Sequence, residues 1–183
     1  MKGGTAVLDK LYITPKQWLH ILRWTLYTLL FLLAMMLQTV VFGNHTFLGV
    51  QPNFVPVVIT CVCLREGAER GGLFALLTSL FWCLSGADEG SVSIAVLTVV
   101  PVLGSLLCSA LLANRFLPCL AITLVTLFTE QTVIFLLKYF FGTMAGIRFL
   151  TDLIPCVLVS ALAQPLVYLL VKRIEKIGDA YES

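Results

Sequence analysis

The sequence predicts an all-α membrane protein, a polytopic helical bundle of about six transmembrane helices, and three observations carry that expectation. Hydrophobic residues fill 59% of the 183 positions and charged residues only 12%, against about a quarter charged in soluble domains. Mean hydropathy is +0.98. The apolar residues also fall in long runs with basic residues gathered at alternate run ends. A soluble core of this length would need a charged shell, and there are too few charges to make one.

Six spans follow in order: Ile21 to Phe42, Phe47 to Leu64, Gly71 to Ser85, Ile94 to Ala113, Phe116 to Leu137 and Leu153 to Val171. Each is near the ~20 residues that cross ~30 Å of hydrocarbon, except the shorter third. The first run exceeds the ~7–15 residues of a signal-peptide core and lacks a small-x-small cleavage site before Gly43-Asn44-His45, so it is expected to be retained. Trp18 and Trp24 bracket its start, where amphipathic rings favour the headgroup level. A charged elbow, Arg65-Glu66-Gly67-Ala68-Glu69-Arg70, joins the second and third runs. Pro118 and Pro155 stand near helix starts, where a missing N–H costs little. Pro101 and Pro165 lie within spans and predict kinks, with Ser160 and Gln164 close enough to answer the carbonyl that Pro165 frees. Residues 1–20 then form an amino-terminal segment, 21–171 one transmembrane domain and 172–183 a tail.

Placement of charge gives orientation. With the amino terminus inside, Lys2, Lys10, Lys16, Arg23, Arg65, Arg70, Arg115, Lys172, Arg173 and Lys176 are inside, and only Lys138 and Arg148 outside. That asymmetry puts both termini in the cytoplasm. Asp88 and Glu89 fall in an outer loop. The net charge of +2 therefore reflects topology, and no nucleic-acid partner is expected.

Lipid gives helices no hydrophobic reason to associate, so packing faces are sought as rows of small residues. Gly71, Ala75 and Ser79 make one such row on the third span, and Ser105, Ser109 and Ala113 another on the fourth. Glu130 is the only acid inside a span, where an unpaired carboxylate costs roughly 2.5–3.5 kcal/mol on insertion scales. Thr123, Thr126 and Glu130 share one helical face, expected to look inward; Gln38 and Gln164 are the other intramembrane polar candidates. Glu130 reads either as a proton site, ligand contact or interface anchor, or as a hydrogen-bonded group locking helices together.

The six cysteines form no C-x-x-C pair and lie in or beside apolar runs, where they act as small apolar packing residues. His20 and His45 stand near opposite ends of the first span and cannot share a ligand. No H-E-x-x-H, G-x-S-x-G or phosphate-binding G-x-x-x-x-G-K-[ST] occurs. No catalytic residue, metal or cofactor is expected, and the chain does not read as an enzyme.

Taken in order, Leu37-Gln38, Pro52-Asn53, Arg65 with Glu66-Gly67, Gly71-Gly72, Ser85-Gly86 and Gly90 resemble the motifs of the MreD family, the rod shape-determining membrane proteins of bacteria. Asn53 stands where that family has Asp, and Trp82-Cys83 where it has a second. The resemblance covers about Gln38 to Gly90; the remainder agrees in length, span count and basic tail.

The resemblance implies a non-enzymatic subunit of the cell-elongation machinery in the bacterial cytoplasmic membrane. Its main partner would be an MreC-like single-span protein, with MreB, RodA and a class B penicillin-binding protein in the wider complex. Pro52, Asn53, Gly71, Gly72, Ala75, Ser79 and Gly86 are the partner-interface candidates, the Gly-rich third span offering a groove for a foreign helix. The family is also similar in fold to the S components of energy-coupling-factor transporters, which supplies an alternative: a vitamin-binding subunit with Glu130 and Thr126 about the pocket. The first span lacks the Ala-x-x-x-Ala pattern by which that family docks its coupling subunit.

Overall fold

The apolar runs become helices of very unequal length. The computed structural model describes residues 15–42, 52–86, 92–111, 116–141 and 148–179, almost all of them helical and none in a strand. His45, Asp88, Glu89, Gly90, Ala113, Arg115 and the start of the expected second span at Phe47 lie outside the described residues.

Helix α1 runs Pro15–Met36 and continues through a π-helical turn, Leu37–Val41. Then come α2 (Val55–Glu66), α3 (Ala68–Leu84), α4 (Val92–Leu111), α5 (Phe116–Phe140) and α6 (Arg148–Asp179). Among the described residues, four stretches are long and apolar enough to cross a membrane: Gln17–Val41, Val92–Ser109, Phe116–Phe140 and Leu153–Ile177. The chain is a multi-pass membrane protein.

The second and third spans differ from expectation. Helix α2 has 12 residues, about 18 Å at 1.5 Å per residue against ~30 Å of hydrocarbon. It starts at Val55 and not at Phe47, because Pro52 and Pro56 bracket the start and a proline is tolerated only in the first turn. Helix α3 begins at Ala68, inside the expected charged elbow, since Gly67 at φ 85° ends one helix and opens the next with nothing between. At the other end of the chain α6 runs past Val171 to Asp179, so the expected tail continues the last helix. Because α6 begins at Arg148, Pro155 lies within it and not near its start.

Short as it is, α2 is the axis of the bundle. It packs against each of the other five helices. Every residue from Val55 to Leu64 is buried, as befits a helix apolar on all sides. The outer helices turn leucine, valine and phenylalanine outward, among them Leu29, Leu103, Leu117 and Leu162.

Candidate functional site

Because α2 starts deep in the bundle, its first N–H groups need partners where water is scarce. The π-helical turn of α1 supplies them. Gln38 Oε1 accepts from Phe54 N at 2.9 Å and Val55 N at 3.2 Å. Gln38 Nε2 donates to Asn53 Oδ1 at 2.9 Å, so one side chain caps the helix and fixes the residue before it.

Asn53 carries the network onward to two more helices. Its Nδ2 donates to Glu130 Oε2 of α5 at 3.1 Å, and its backbone N donates to Ser160 Oγ of α6 at 2.8 Å. Glu130 is 1% exposed and Ser160 fully buried. Four helices thus meet at one polar layer, in which an amide stands between the carboxylate and the rest.

A second layer holds the other end of α2. Glu66 Oε1 accepts from Arg23 Nε at 2.6 Å and from Tyr27 Oη at 2.7 Å, and also pairs with Arg23 Nη2. Arg65 pairs with Glu175 of α6 and lies over the Tyr168 ring, 5.8 Å from its centroid. The side chains of both elbow residues are largely shielded, so their charges are spent within the bundle. Helix α2 is therefore pinned at both ends by polar groups from α1, α5 and α6.

The small residues of α3 are used internally, which corrects the groove expected there. A Cβ on Gly71 would stand 2.5 Å from Cys63 Cα, so α2 and α3 touch backbone to backbone. Ala75 is buried, and Ser79 Oγ meets Thr98 Oγ1 of α4 at 3.2 Å. Gly72 faces the Val102 side chain, 2.9 Å from a Cβ placed there. This face of the third span seats the chain's own helices, because α2 and α4 both need close approach to it. Of the second row, Ser105 is buried and Ser109 is exposed and bonded to Leu106 O, so it does not form one continuous face.

The remaining candidates are dispersed. Pro52 is buried beside Asn53, and Gly86 is exposed where α3 ends at φ 70°. Thr123 and Thr126 are buried and donate to Cys119 O and Ile122 O of their own helix. Gln164 is fully buried and donates to Cys119 Sγ at 3.7 Å, away from the Glu130 layer. Cys61 Sγ also lies 3.7 Å from Cys119 Sγ. Among the described residues no group of His, Cys, Asp and Glu could hold a metal ion.

Arg23, Tyr27 and Glu175 were not expected as structural partners, and Ser160, expected beside the carbonyl that Pro165 frees, accepts from Asn53 N. Arg23 and Tyr27 had a signal: four apart on one helical face of the first apolar run.

Comparison with protein-family models, with curated proteins and with solved structures gave no match.

Proposed function

We propose that the protein is a non-enzymatic subunit of the bacterial cell-elongation machinery, of the MreD type. In this reading it binds an MreC-like single-span protein within the cytoplasmic membrane and helps couple MreB to peptidoglycan synthesis by RodA and a class B penicillin-binding protein. The α2–α3 hairpin counts as the second and third of six crossings, in an arrangement like that of the S components. Both termini are then cytoplasmic, on the side of the basic residues.

One observation supports this reading above the others. Gln38 and Pro52-Asn53, separate motif positions in the sequence, are joined by the 2.9 Å bond that starts α2. The Gly67 elbow and Gly71, two further motif positions, close the same hairpin. The motif is thus a set of residues that builds one element, which is what a shared fold requires of it. The vitamin-binding alternative draws less support, because Glu130 and Thr126 bond within the bundle.

The reading is tested by purifying the tagged full chain from its native membrane in mild detergent and identifying what accompanies it. Recovery of an MreC-like single-span protein is expected. Recovery of a vitamin with an ATPase pair would overturn the reading in favour of the transporter subunit.

A further inference from the structure

Helices α1 and α3 both leave the basic end of the bundle and run side by side with a cleft between them. Its volume is about 620 Å³. Aromatic rings bridge its floor: Trp24 to Phe74 at 5.9 Å and Phe31 to Phe81 at 6.2 Å between centroids. Leu73 and Leu77 form a wall and are 60% and 57% exposed, so the cleft opens sideways toward lipid.

The mouth differs in chemistry from the rest. His20 and Arg70 stand there, at the level of the Arg23–Glu66 pair. Arg70 is exposed and makes no hydrogen bond or ion pair with any described residue. Trp24 Nε1 donates to His20 Nε2 at 3.0 Å, which fixes the imidazole tautomer and leaves its Nδ1–H as a donor. The neighbouring Glu69 is not among the lining residues, and Glu66 is held by Arg23 and Tyr27.

Length decides between occupants. From Arg70 to Phe81 is eleven residues of α3, about 16 Å, close to half of the ~30 Å hydrocarbon thickness. A partner's transmembrane helix needs a seat along the whole thickness, whereas one leaflet's acyl chain needs half. A cationic mouth above an apolar cleft of that depth matches an anionic headgroup above its chain.

We propose that the α1–α3 cleft binds an anionic phospholipid of the leaflet at the basic end, with its phosphate between Arg70 and His20 and an acyl chain along Leu77 to Phe81. The assignment rests on the cleft alone and stands whether or not the partner protein is MreC-like.

The test is native mass spectrometry of the detergent-solubilised full chain titrated with phosphatidylglycerol or with phosphatidylcholine of the same chains. One saturable phosphatidylglycerol adduct is expected, stronger than the phosphatidylcholine adduct. Arg70→Ala should weaken it about fivefold, the effect of one basic side chain at an anionic surface. Leu77→Trp and Leu73→Trp, at exposed positions that leave the core intact, should abolish it. Soluble glycerol phosphate should not compete, since it lacks the chain. Equal affinity for the two lipids, or an adduct indifferent to all three substitutions, would overturn the proposal. So would displacement by glycerol phosphate alone, or a polypeptide adduct lost in Leu77→Trp.

Discussion

Asn53 holds three helices through one side chain and one backbone N–H, and its amide donates to the buried carboxylate of Glu130. Removing the Glu130 carboxyl raises no insertion cost that matters for folding, since the unfolded chain is also in the membrane and the term cancels. The substitution removes the acceptor of Asn53 Nδ2. Glu130→Leu should therefore destabilise the bundle by about 1–3 kcal/mol, the cost of a buried donor without a partner. Glu130→Gln, which keeps an acceptor oxygen, should stay within ~1 kcal/mol of the parent. Thermal unfolding of both variants in one detergent compares them. A Gln variant as damaged as the Leu variant would mean that the charge itself is required. The carboxyl in a span was legible from the sequence; its partner was not, because residues 53 and 130 are brought together only by the packing of α2 on α5.

Among the elements, the α2–α3 hairpin carries the greatest packing constraint. Gly71 lies against the Cys63 backbone, and a backbone cannot yield as a side chain can. Gly71→Ala should force the two helices apart and cost about 2–3 kcal/mol, in the upper range for overpacking. Gly72→Ala meets only a Val102 methyl, and the ~1 kcal/mol gain in helix propensity offsets the crowding. It should be close to neutral. Unfolding in graded SDS ranks the two, and the reverse order would show that α2 and α3 are not in backbone contact. The four long helices were legible because length and hydropathy alone identify them. The row Gly71, Ala75 and Ser79 was also legible as a packing face, but small residues do not say whether the helix they admit belongs to the same chain. The shortness of α2 was hidden, since Phe47 to Leu64 is apolar whether or not its first part is helical.

At the scale of the molecule, a helix some 18 Å long, buried from Val55 to Leu64, is held at one end by Gln38, Glu130 and Ser160 through Asn53, and at the other by Arg23, Tyr27 and Glu175 through the elbow. Among the described residues, the four helices long and apolar enough to span a membrane pack around it, and α1 and α3 bound a cleft with a basic mouth. The pairing of Arg23 with Glu66 was not legible in the sequence, because residues 43 apart give no periodic sign of contact. The claim on which the rest depends is that Gln38 and Asn53 act as one unit to start α2. A double-mutant cycle of Gln38→Leu and Asn53→Leu, read by reversible unfolding, tests it. A coupling of about 0.5–2 kcal/mol between the two sites is expected, and strictly additive losses would show that they act separately.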